Sequence, residues 1–298
     1  MLSPAEAFSA KGARRVLYIV LVLNLVVCLA KLIAGALSHS LAVISDGVHS
    51  SIDALNNVVG LVLLRLASEE PDEGHPYGHG KIETLGAFSI AGFMFITCYE
   101  IAKRSVGRLW SGTTTSFDIS ALTFATMLVT LAINVFVVVY EKRAARRYQS
   151  EFLFADALHT QSDVFVTLSV LAGLPLLLHG FLFLDAILAL GISVVIAWSG
   201  YRVLERTVPV LLDAASVDAN VIQSLALGMS RVVAVKDIRS RLHGRRKFVE
   251  LTLVVSENDL RQAHEITERL EEEIMAAYGR AAITIHVEPA PTPLRSDP

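Results

Sequence analysis

Long apolar stretches separated by short polar ones fill the first two thirds of the chain. Six stand out, at roughly 15–37, 40–66, 82–109, 117–140, 152–179 and 183–203. Each is near or above the ~20 residues that a helix needs to cross a bilayer. The pattern therefore predicts a short leading segment, 1–14, and a six-helix transmembrane domain over 15–207. From residue 208 the periodicity changes. Residues 218–229 read as a helix, 232–238 and 247–255 as strands, 259–278 as a charged amphipathic helix and 282–287 as a last strand. The order αββαβ predicts a small, ferredoxin-like α+β domain at 208–289, and the proline-bearing end, 290–298, reads as disordered.

Composition agrees with a membrane protein that carries a soluble appendage. Of 298 residues 53% are hydrophobic and 18% charged, and the mean hydropathy is +0.53. A net charge of -3 gives no reason to expect nucleic acid as a partner. Cys28 and Cys98 both lie in apolar runs, so neither a disulfide framework nor a cysteine metal site is expected. The start of the chain has no short apolar core followed by a small-residue cleavage site, so the first run reads as a retained span.

An even number of spans puts both termini on one side, and basic residues choose the side. Lys11, Arg14 and Arg15 precede the first run, Lys142, Arg143, Arg146 and Arg147 follow the fourth, and Arg202 and Arg206 end the sixth. The excess predicts cytoplasmic termini, with Lys103, Arg104 and Arg108 as a smaller opposing group.

Inside these apolar surroundings one polar pattern occurs twice: Asp46-Gly-Val-His49-Ser-Ser-Ile-Asp53 and Asp156-Ala-Leu-His159-Thr-Gln-Ser-Asp163. Both copies read Asp-x-x-His-x-x-x-Asp. On a helix the His and the later Asp share a face one turn apart. Each motif centre lies about 14–15 Å from its end of the span, near the midplane of a ~30 Å hydrocarbon core. Antiparallel pairing of the two helices then sets His49 level with Asp163, and Asp53 level with His159.

A carboxylate at this depth costs ~2.5–3.5 kcal/mol on insertion scales, and the motifs carry four. Polar residues can instead join helices by hydrogen bonds, but duplication at matched depth favours a divalent metal site of His49, Asp53, His159 and Asp163. Zn²⁺ suits four N/O ligands. Two carboxylates neutralise one M²⁺, and once it leaves, the same atoms attract protons. Metal and proton therefore compete, which is the chemistry of an exchanger. Asp46 and Asp156, one turn before each His, read either as residues that orient the imidazoles or as helix-helix hydrogen-bond partners. Asn56, Asn57 and Ser162 read as packing or pathway groups.

The stretch from Ser40 through Ser45-Asp46-Gly47-Val48-His49 to Asp53 resembles the signature of the cation diffusion facilitator family. His159-x-x-x-Asp163, the loop His75-Pro-Tyr-Gly-His79-Gly-Lys81-Ile-Glu83, six spans and the αββαβ tail fit the same family. The resemblance covers nearly the entire chain. It implies a homodimeric exporter that moves Zn²⁺ or a related divalent ion (Cd²⁺, Fe²⁺, Co²⁺ or Ni²⁺) out of the cytoplasm in exchange for protons, without an organic cofactor. It also implies His49, Asp53, His159 and Asp163 as the transport site. His and Asp on both helices look more like the zinc and cadmium branch than the carboxylate-rich manganese branch.

Outside the spans, Asp72, His75 and His79 form a candidate second site on a cytoplasmic loop, where similar proteins bind metal; a solvated acidic loop is the alternative. In the soluble domain the candidates are His264 and the strand pair His286 and Glu288, two apart and therefore on one side. Lys236 and Thr252 stand where relatives of this family frequently carry His, which predicts at most a reduced site. Lys81 and Asp213 are candidates for an ion pair at the cytoplasmic boundary, and His243 is expected at a solvent-exposed hairpin.

Rival readings are a membrane metal sensor or scaffold, which would keep a binding site without flux, and a metalloenzyme. The second is disfavoured because no nucleophile or evident general base accompanies the ligands. The short loops suggest a bacterial inner membrane.

Overall fold

The computed structural model describes residues 4–37, 41–111, 121–178, 182–257 and 259–291. It divides into two compact units, Met1–Val208 and Pro209–Pro298. The expectation for 290–298 falls, from 292 onward, outside the described residues.

The first unit is helical: α1 (Pro4–Leu37), α2 (Leu41–Leu66), α3 (Lys81–Ser111), α4 (Ala121–Tyr148), α5 (Glu151–Leu178) and α6 (Leu182–Leu211). Five of these, α1, α2, α3, α4 and α6, are long and apolar enough over their described residues to cross a membrane by length and composition. The second polar motif, with His159, Gln161 and Asp163, lies on α5.

Faces of α1 show why the unit suits a bilayer. Ala13, Leu17, Val20 and Val27 are buried, while Tyr18, Val22, Val26, Leu29 and Ile33 are exposed at helical spacing. Both faces are apolar, as in a helix that packs on protein one way and lipid the other. Buried Leu17, Met94, Val137, Leu153 and Ile196 join α1, α3, α4, α5 and α6 in one core.

Two helix pairs position the motifs. α1 packs on α2, α4 on α5, and α1 also meets α4. A Cβ at Gly47 would stand 2.8 Å from Leu32 Cδ2, so a glycine within the first motif lets α1 approach closely. The turn between α4 and α5 is tight: Gln149 takes φ 48°, and Ser150 Oγ accepts from Leu153 N at 3.2 Å, capping α5. Ser150 Oγ also donates to Glu83 Oε1 at 2.5 Å and ties this turn to the start of α3.

Three helices exceed the apolar runs that predict them. α1 begins at Pro4, α4 continues to Tyr148 and α6 to Leu211. Hydropathy marks the thickness of hydrocarbon, whereas helix hydrogen bonding continues into water. The segment 1–14 is thus, over its described residues, the first turns of α1.

The second unit runs α7 (Ala219–Leu227), β1 (Val232–His243), β2 (Arg246–Val255), α8 (Leu260–Tyr278) and β3 (Ala281–Pro289). The sheet order is β1-β2-β3, antiparallel then parallel. A parallel neighbour needs a crossover, and α8 supplies it. Asp259 caps α8 by accepting from Arg261 N and Gln262 N at 2.9 and 3.0 Å. Ala263, Leu270 and Ile274 of its buried face pack with Ile222, Val249, Leu251 and Leu253. A bulge between Lys236 and Arg239 places Asp237 at φ 52°.

Candidate metal centre

The antiparallel pairing expected of the two motifs appears at one level directly. His159 Nε2 on α5 lies 3.3 Å from Asp53 Oδ1 on α2, and 4.0 Å from Asp163 Oδ2 one turn along its own helix. One ligand atom from each of Asp53, His159 and Asp163 lies within 4.8 Å of the others. Ligands of a tetrahedral Zn²⁺ with bonds near 2.1 Å stand about 3.4 Å apart, so a modest contraction suffices for binding.

His49, the fourth expected ligand, is exposed and stands outside this cluster. It lines the same cavity as Asp53 and Asp163, together with Asn24, Lys31, Asp46, Asn134 and Thr167. The donor set facing this cavity, carboxylate and imidazole without thiolate, fits a borderline or hard divalent cation.

Both Asp residues that precede the histidines are drawn to neighbouring helices. Asp46 Oδ2 lies 2.9 Å from Lys31 Nζ on α1, and the same ammonium donates to Ser50 Oγ at 2.9 Å. Asp156 Oδ2 accepts from Asn57 Nδ2 at 2.9 Å, and Asn57 Oδ1 accepts from Asn24 Nδ2 at 2.7 Å. Each thus joins helices, the second of the two roles the sequence allows. Asn57 has the packing role expected of it.

Two charged residues here escaped the motif search. Lys31 is buried within the first apolar run, and its isolation there was the available signal. Glu141 is fully buried on α4, where neither carboxylate oxygen meets a hydrogen-bond donor; it acts electrostatically on Asp156. Lys142 donates to Gln161 of the second motif.

On the loop after α2, His75 Nδ1 stands 3.2 Å from Asp72 Oδ1 and His79 Nε2 3.4 Å from Asp72 Oδ2. The two imidazole centroids are 4.3 Å apart, and Gly78 at φ 90° makes the turn that returns His79 to Asp72. Nδ1 of His79 is buried without a partner. The backbone N–H of His75, 2.6 Å from Asp72 Oδ1, holds the Asp72 carboxyl below the usual carboxylate range.

The soluble-domain candidates form no comparable group among the described residues. His264 faces Glu268 at 3.4 Å on the exposed side of α8, while His286 and Glu288 lie 4.0 Å apart on β3. Lys236, Thr252 and His286 are register partners across the three strands, and Lys236 Nζ lies 3.1 Å from Glu288 Oε2. An ammonium thus occupies the carboxylate that a cation would use. His243 ends β1 half-buried, edge-on to Phe248, rather than fully exposed. Lys81 opens α3 in the first unit. In the second, Asp213 takes φ 54° and lies 3.8 Å from Arg241.

Comparison with known proteins identifies the family of both units. The cation efflux transmembrane domain matches residues 17–212, and the cation efflux protein cytoplasmic domain matches residues 214–290. The chain belongs to the cation efflux family. Members of this family, the cation diffusion facilitators, are integral membrane transporters of divalent metal cations and not enzymes. The chain is similar to an uncharacterized transporter, MJ0449, of Methanocaldococcus jannaschii, with 29% identity over 89% of this chain and 94% of the relative. It is 29% identical to the cation-efflux pump FieF of Citrobacter koseri and to that of Salmonella typhi, each over 88% of this chain and 87% of the relative. A solved structure concerning the mode of action of CzrB matches 24% of this chain and 92% of its own, with 31% identity and a TM-score of 0.23.

Proposed function

We propose that this cation efflux protein is a homodimer with six spans and cytoplasmic termini that exports Zn²⁺ in exchange for protons across a bacterial inner membrane. The observation that carries the reading is the meeting of Asp53, His159 and Asp163 across α2 and α5, with Asp53 and Asp163 lining the same cavity as His49.

In this reading the four side chains bind the ion when the cavity opens to the cytoplasm, and His49 completes the set as the ion enters. Two carboxylates balance the charge of the ion, so the loaded site crosses the membrane neutral. On the far side protons displace the metal from the same oxygens and ring nitrogens. Proton loss to the cytoplasm resets the site. Both motifs sit on α-helices, so rocking of helix pairs about the site switches access without unfolding either ligand face. The loop cluster of Asp72, His75 and His79 collects cargo at the cytoplasmic mouth. The α+β domain holds the dimer together.

Uptake into proteoliposomes under an imposed pH gradient tests this function across Zn²⁺, Cd²⁺, Fe²⁺ and Mn²⁺. Zn²⁺ is expected to accumulate fastest and Mn²⁺ slowest, with accumulation lost when an ionophore collapses the gradient. Saturable binding without flux, in correctly inserted protein, would replace the transporter reading with a sensor.

A further inference from the structure

Lys31 is a buried cation beside a site built for cations. Its side chain rises from α1, its ammonium is fixed between Asp46 and Ser50 of α2, and its stem lines the cavity that holds His49, Asp53 and Asp163. The ammonium acts electrostatically on both site carboxylates, Asp53 and Asp163. Asp46, the carboxylate that pairs with it, is half-exposed, with 49% of its side chain accessible against 8% for Lys31. The positive end of the pair is thus the less screened of the two. Asp46 precedes Asp53 by seven residues, about 10 Å along α2, so the ammonium sits towards the α1–α2 turn. In the proposed topology that end faces away from the cytoplasm.

We infer that Lys31 is a fixed counter-charge that weakens the hold of the transport site on its divalent cargo and so promotes release on the far side of the membrane. Two carboxylates and two imidazoles converging in a low-dielectric site bind Zn²⁺ tightly, and a cargo bound too tightly does not turn over. A resident ammonium raises the energy of the loaded site more than that of the empty one. It is a positioning charge and donates nothing to the metal. This inference rests on the proposed site.

The test is equilibrium Zn²⁺ binding by the purified full-length protein in lipid nanodiscs, read by calorimetry, beside Zn²⁺ flux. Subtracting the isotherm of Asp53→Ala/Asp163→Ala isolates the transport site from the loop and the cytoplasmic domain. Lys31→Gln is expected to tighten binding at least about ten-fold and to slow maximal flux, while Lys31→Arg keeps both near wild type. Because Lys31→Gln frees Asp46 to act as an extra ligand, Lys31→Gln/Asp46→Asn is measured as well and is expected to stay tighter than wild type. Unchanged or weaker binding in Lys31→Gln, or a return to wild-type affinity in the double variant, overturns the inference. If Asp53→Ala/Asp163→Ala binds as many ions as wild type with equal affinity, the site assignment itself falls, and the inference with it.

Discussion

His159 on α5 places Nε2 3.3 Å from Asp53 Oδ1 on α2, although 106 positions separate the two residues in the chain. The contact fixes the register of two antiparallel helices at the level of their polar motifs. It also brings an imidazole of α5 against a carboxylate of α2 that lines the cavity.

Replacing the more exposed ligand should retune the site without dismantling it. His49→Asp exchanges an imidazole for a carboxylate at the edge of the cavity, away from the Asp53–His159 contact. Mn²⁺ transport relative to Zn²⁺ is expected to rise about ten-fold, because oxygen ligands suit harder cations. A metal panel in the flux assay measures the ratio, and an unchanged ratio would remove His49 from the ligand set.

The polar chain Asn24–Asn57–Asp156 should matter to stability more than to metal chemistry. Asn57→Ala leaves buried Asp156 and Asn24 without their partner, a loss of about 1–3 kcal/mol. Glu141→Gln should preserve or raise stability, since it removes a buried carboxyl whose oxygens have no hydrogen-bond donor and offers Asp156 an amide N–H in its place. Thermal unfolding in detergent, followed by tryptophan emission or size-exclusion, would show a lowered midpoint for the first variant and an equal or higher one for the second.

The loop cluster should release metal on acidification, because protons compete with the ion for its ligand atoms. Asp72, held below the usual carboxylate range by the His75 backbone N–H, stays anionic as the pH falls. Metal affinity there should therefore decline on acidification while the Asp72 carboxylate is still ionised. Asp72→Asn should weaken binding at every pH without moving the midpoint of release. Zn²⁺ titrations at several pH values, in a background where Asp53→Ala/Asp163→Ala silences the membrane site, measure both quantities; a midpoint that shifts with Asp72→Asn would assign the titration to the carboxylate.

How far the sequence carries is seen by comparing Asp53 with Asp46. Asp53 and His159 stand where motif spacing and helix antiparallelism place them, because their positions depend only on helix geometry and span depth. The partner of Asp46 depends on which face of α1 approaches, and a local motif holds no record of that. Lys31 and the close contact at Gly47 decide it. Helix ends show the same limit: apolar runs report where lipid begins, so α4 and α6 outrun them to Tyr148 and Leu211. In the second unit the order of elements followed from period and turn residues. The pairing of β3 parallel to β2 is a consequence of the α8 crossover.

The proposed transport cycle stands on Asp53, His159 and Asp163 holding the cargo and exchanging it for protons. Its most direct test is simultaneous measurement of Zn²⁺ entry and proton exit in proteoliposomes that carry wild type, Asp53→Ala or Asp163→Ala. Matched, opposite fluxes are expected in wild type, and the loss of both together, by at least about a hundred-fold, in either variant that still elutes as a folded dimer. Wild-type rates in either variant, or Zn²⁺ flux without a matching proton flux, would contradict it.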